Sequence, residues 1–177
     1  MMEQPRYTAF ARILHWVVGV LVLGQIALGF VTDASPRARA DSLREVHAEV
    51  GLLILALMAL RLSWRIAAPP PSLPAAIAPP QRLLAGVVHR LLYGLVFIML
   101  GSGLTVWMWI GVPLDIFGLV PIPLPRIGGE DEFWLSAAAF THEYCALAIS
   151  GLIGLHIAAA LWHELVLRDR LIRDRML

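Results

Sequence analysis

Four separate runs of the chain are apolar for long enough to cross a lipid bilayer, and each of them contains a histidine. They extend over roughly Ile13 to Val31, Val46 to Ile66, Val87 to Ile110 and Ala137 to Leu167, and a spanning helix needs about 20 such residues. Composition agrees, since 59% of the 177 residues are hydrophobic and the mean hydropathy is +0.74, beyond the range of an ordinary soluble domain. The expected fold is all-α: an integral membrane four-helix bundle in which residues 1–177 form a single transmembrane domain.

The first run has the outline of a secretory signal, with Arg6 and Arg12 before it and RARA after it. Its apolar length and the His15 inside it point instead to a retained span. All fourteen basic residues are arginine. Ten of them (Arg6, Arg12, Arg61, Arg65, Arg82, Arg90, Arg168, Arg170, Arg173, Arg175) flank the spans on one side. Arg37, Arg39, Arg44 and Arg126 fall on the other, with Asp115, Glu130, Asp131 and Glu132. The positive-inside rule then predicts both termini in the cytoplasm. A net charge of +1 gives no reason to expect nucleic acid as a partner, and the arginine-rich tail reads as topology and contact with anionic lipid. The single cysteine, Cys145, excludes an intrachain disulfide and a thiolate metal cluster. It reads as a small core residue.

Imidazole inside a bilayer is costly unless it has work to do, and here there are six. His142 and His156 are fourteen residues apart, a helical rise of about 21 Å with a rotation about 40° short of four turns. They share a face at two depths. His47 and His142 begin their spans near the periplasmic side and make one pair, whereas His15, His89, His156 and His163 all lie toward the cytoplasm. Zinc favours three or four ligands at one depth, which two separated pairs do not give. Bis-histidine haem fits, because it takes two axial ligands from facing helices and suits electron transfer. Two such haems stacked about 20 Å apart would match the helical rise. Arg12, Arg44 and Arg61 are candidates to neutralise the propionates.

Between spans two and three, APPPSLPAAIAPP (68–80) reads as a stiff link that cannot continue a helix. A weak repeat relates ARILHWVVGVLVLGQIALGF to AGVVHRLLYGLVFIMLGSGL, aligning Ala11 with Ala85, His15 with His89 and Gly29 with Gly103. Aligning His47 with His142 then puts Arg61 in the slot of His156, so span two has an upper histidine and no lower one.

ARILHW, REVHAEVGLLILALMALRLSWR, HRLLYGLVF and THEYCALAISGLIGLHIAAALWHE together resemble the prokaryotic cytochrome b561 family over essentially the whole chain. The resemblance implies a four-helix cytochrome of the bacterial inner membrane with two b haems. It makes His15 and His156 the axial pair of the cytoplasmic-side haem, and His47 and His142 that of the periplasmic-side haem. His89 and His163 match family histidines that are not axial ligands, and are left to hydrogen-bond a quinone or handle protons. Similarity is greatest to the superoxide-oxidising members, which implies electron transfer from periplasmic superoxide to ubiquinone without an obligatory protein partner. The alternative is a cytochrome b subunit of a hydrogenase or formate dehydrogenase, fed by an iron–sulfur partner and delivering electrons to quinone.

Overall fold

The structure is a computed structural model and describes residues 6–74, 77–129 and 132–177. Glu130 and Asp131, assigned above to the acidic loop, lie outside the described residues, as do Met1 and the linker residues Ala75 and Ala76. Among the described residues four helices are long and apolar enough to cross a membrane. These are α1 (Ala9–Asp33), α2 (Arg37–Ala67), α3 (Pro79–Ile110) and α4 (Phe133–Leu161), the last continuing as a π-helical stretch, Trp162–Leu167. A short α5 (Leu171–Arg175) follows. The chain is a multi-pass membrane protein built as a four-helix bundle.

All four helices start earlier than the apolar runs, α2 and α3 by the most. α2 begins at Arg37, because RARADSLREV is rich in good helix formers and needs no hydrocarbon to be helical. α3 begins at Pro79, which corrects the expectation that the linker to Pro80 stays outside the helix. Proline is tolerated in the first turn, where its missing N–H has no intrahelical acceptor, and the Gln81 side chain accepts from the Ala78 N–H at 3.3 Å. The all-α expectation also has one exception. Between α3 and α4, β1 (Leu114–Ile116) and β2 (Val120–Ile122) pair antiparallel with Ile116 opposite Val120. The turn between them has Phe117 and Gly118 at φ 51° and 68°, and β1 packs on α2 with Leu114 buried.

α1 pairs with α2, and α3 with α4, so the two halves of the sequence repeat are two helical hairpins. Tyr7 and the C-terminal segment meet at one end of the bundle, the terminal end, where the Tyr7 N–H donates to the Arg175 carbonyl; the β-hairpin marks the other. The buried core lies between these ends: Leu14, Val18 and Val22 of α1, Ile54 and Met58 of α2, Val96, Met99 and Leu100 of α3, and Ile149 of α4. Cys145 packs against it, as a small core residue should. Around it, Ile13, Val20, Leu91, Ile98 and Leu155 are exposed, as lipid-facing side chains are in a chain whose solvent is hydrocarbon.

Candidate functional site

One spacing runs through all four helices. Seven residues, about 10 Å of rise and nearly two turns, separate His15, Val22 and Gly29 on α1; His47, Ile54 and Arg61 on α2; His89, Val96 and Gly103 on α3; and His142, Ile149 and His156 on α4. The middle members, Val22, Ile54, Val96 and Ile149, are all buried in one cluster, with Ile54 and Ile149 at 1% and 0% exposure. That apolar layer separates two sets of imidazoles.

Toward the β-hairpin end, His47 and His142 face each other with ring centroids 6.0 Å apart and ring planes at 77°. Each lies by the glycine of its hairpin partner: a Cβ on Gly29 would be 3.5 Å from His47 Cε1, and one on Gly103 would be 2.8 Å from His142 Cε1. His142 Nδ1–H donates to the Met99 carbonyl at 2.9 Å, which leaves Nε2 as the free lone pair. The carbonyl of His47 accepts from the buried Gln25 amide. His47 Nδ1 is buried without a partner.

Toward the terminal end, His15 and His156 are 6.4 Å apart, centroid to centroid, with planes at 80°. His89 approaches the same His156 ring at 5.4 Å, and its own Nδ1–H donates to the Ala85 carbonyl at 2.6 Å. Arg61 occupies the slot that the repeat left without a histidine. Its Nε donates to the Tyr93 hydroxyl at 2.8 Å, Arg65 stacks over the same ring at 5.6 Å, and Arg61 Nη1 is buried with no partner. Tyr93 is one turn beyond His89 on α3.

The other sequence candidates go elsewhere. His163 faces Asp169 through Nδ1, because the π-helical stretch that contains it departs from the α-helical register. Arg44 forms an exposed ion pair with Asp41 at 2.8 Å. Arg12 donates to the Leu177 carbonyl. Sequence reasoning passed over Gln25, Tyr93 and the apolar layer; the seven-residue spacing was the available signal for the layer, and nothing local marked the other two.

A family model described as prokaryotic cytochrome b561 matches residues 6–177. The chain belongs to the prokaryotic cytochrome b561 family. It is 30% identical to cytochrome b561 homolog 2 of Escherichia coli K12, over 93% of this chain and 87% of that one. To cytochrome b562 of Cereibacter sphaeroides it is 28% identical over 99% and 98% of the two chains. To a protein of Yersinia pestis named probable superoxide oxidase CybB it is 26% identical over 93% and 92%. It is therefore a membrane electron-transfer cytochrome of a family that binds b-type haem, resident in the bacterial inner membrane.

The residues of this b561-family cytochrome fit that group. A first-row metal stands about 2.0–2.1 Å from an imidazole nitrogen, so two rings sharing one iron have centroids about 6 to 6.5 Å apart. His47 with His142 and His15 with His156 satisfy this; His89 with His156, at 5.4 Å, is too close.

Proposed function

We propose that this cytochrome carries two b haems and passes electrons from superoxide in the periplasm to ubiquinone on the cytoplasmic side. In this reading residues 1–177 form one di-haem domain with both termini in the cytoplasm, on the side with ten of the fourteen arginines. His47 and His142 hold the periplasmic-side haem, and His15 and His156 the cytoplasmic-side haem. The observation that carries the reading is the pair of imidazole gaps, 6.0 Å and 6.4 Å, on either side of one apolar layer. When bound, the haems supply one-electron redox chemistry.

The chain's own residues orient and select. The Met99 carbonyl fixes the ring of His142, so that Nε2 is the ligating atom. Arg61, with a buried N–H to spare, neutralises a propionate at the terminal-end site. Arg37 and Arg39, exposed on the first turns of α2, attract the superoxide anion. Support for superoxide itself comes from the Yersinia pestis relative's name. In the net reaction two superoxide anions each lose one electron and leave as dioxygen, and ubiquinone takes up two electrons and two protons to become ubiquinol.

For the quinone, a cavity of about 200 Å³ lined by Leu62, Arg65, His89, Arg90 and Tyr93 opens beside the terminal-end histidines. With Nδ1 committed to Ala85, His89 has Nε2 left for a quinone oxygen, and its ring lies against His156. His163, paired with Asp169, is the proposed proton-handling group toward the cytoplasm.

The test is haem stoichiometry on the purified chain by pyridine haemochrome, followed by superoxide-driven reduction of a soluble ubiquinone. Two haems per chain and quinol formation abolished in His47→Ala and His156→Ala are expected. A single haem overturns the relay. A fully loaded chain inert to superoxide but reduced by an iron–sulfur partner transfers the assignment to the hydrogenase or formate dehydrogenase type of subunit.

A further inference from the structure

Residues 171–177 fold back as a strap along the first two turns of α1. Arg6 Nε donates to the Asp174 carbonyl at 2.9 Å, Trp16 Nε1 to the Met176 carbonyl at 3.1 Å, and the Arg12 guanidinium to the Leu177 carbonyl. Arg175, 3% exposed, donates to the Pro71 carbonyl at 2.6 Å and stacks on Tyr7. The strap is thus tied to α1 and to the linker between α2 and α3. Between it and α1 lies a groove of about 450 Å³, lined by Arg12, Ile13, Trp16 and Val17 on one side and Met176 and Leu177 on the other.

We propose that this groove binds one anionic phospholipid, its phosphate on Arg12 and an acyl chain along Ile13, Val17 and Val20. Four features point to this occupant. Ile13, Val17 and Val20 are among the exposed apolar residues of α1, so the groove is continuous with a surface that hydrocarbon covers. Arg12 Nε is buried and has no partner, and an unpaired guanidinium N–H is a strong, directional donor to a phosphate oxygen. The surrounding charge is complementary, because Arg6, Arg12, Arg173 and Arg175 outnumber Asp174 and Glu164, the latter paired with Arg173 at 3.5 Å. Trp16 adds an amphipathic ring of the kind found at headgroup level. Ile13 and Val17 lie roughly 160° around α1 from His15, while the Trp16 ring meets that imidazole edge-on at 5.4 Å. The inference does not depend on the identity of the electron donor.

Native mass spectrometry of the haem-loaded protein, given equal amounts of phosphatidylglycerol and phosphatidylcholine with the same acyl chains, tests it. Wild type is expected to retain one phosphatidylglycerol about tenfold more tightly than phosphatidylcholine. Arg12→Gln should abolish the preference. Val17→Trp, which fills the groove and leaves the guanidinium in place, should abolish retention. Arg126→Gln, at the opposite end, should change neither. No preference in wild type overturns the proposal, as does a preference that survives Arg12→Gln or retention that survives Val17→Trp. Displacement of the lipid by an equal amount of soluble ubiquinone also overturns it, by making the groove a quinone site. Haem absorbance of each variant reports that it has folded.

Discussion

His142 reaches the Met99 carbonyl across the position where Gly103 has no side chain. In a helix the N–H of residue 103 already bonds the carbonyl of residue 99, and a side chain at 103 would shield that oxygen from the neighbouring helix. The same device recurs at the same end of the bundle. The Gln25 amide reaches the carbonyl of His47 where Gly51, four residues on, leaves it open, with 3.5 Å between Gln25 Nε2 and the Cβ that alanine would add. Glycine here makes a backbone oxygen of one helix available to its neighbour.

Gly103→Ala should therefore disturb the His47–His142 site, since its methyl would be 2.8 Å from His142 Cε1. Gly29→Ala, with 3.5 Å to His47 Cε1, meets ordinary van der Waals contact. Haem content by pyridine haemochrome should fall toward one per chain in the first variant and stay at the wild-type level in the second.

His89→Ala separates a ligand from a neighbour. Its 5.4 Å separation from His156 leaves no space for an iron between the rings, so haem stoichiometry should be unchanged. Quinone reduction should slow, whereas His15→Ala should remove the terminal-end haem. Parallel haem quantification and quinol assays distinguish the two.

Arg61 keeps a cationic group beside the terminal-end histidines, held by Tyr93. A nearby positive charge favours the reduced, less positive haem, so Arg61→Gln should lower the midpoint potential of that haem. A shift of roughly a few tens of millivolts is expected, where about 59 mV is a tenfold change for one electron. Optical redox titration reads it, with the proposed second haem as internal reference.

Ile149 is fully buried halfway between His142 and His156. Ile149→Ala should cost about 2–5 kcal/mol, the usual range for a large-to-small change in a packed core. Leu155→Ala, at a lipid-facing position 67% exposed, should cost less than about 0.5 kcal/mol. Unfolding in mixed micelles gives both values.

Much of this was legible in the sequence, because hydrocarbon imposes simple rules. Long apolar runs gave the spans, and the fourteen residues from His142 to His156 gave two depths. The repeat that equated Gly29 with Gly103 and His47 with His142 has a physical counterpart, each glycine lying by the imidazole of its own hairpin. Helical extrapolation held to Leu161 and failed at His163, where the π-helical stretch changes the angle per residue. The starts of α2 and α3 were missed because polar helix formers and first-turn prolines carry no hydropathy signal. Leu114 to Ile122 was missed because two three-residue strands are too short to show alternation. Tyr93 and Gln25 act across helices, which local pattern does not encode.

The layer of Val22, Ile54, Val96 and Ile149 contains no group that can carry a proton, so in the proposed relay charge would cross it only as electrons. An electron moved inward over about 21 Å of a hydrocarbon core about 30 Å thick travels through roughly 0.7 of the membrane voltage. A full charge costs about 2.3 kcal/mol per 100 mV, which makes the transfer cost about 1.6 kcal/mol per 100 mV when the interior is negative. The cytochrome would then be electrogenic: an energised membrane slows it, and collapse of the voltage releases it.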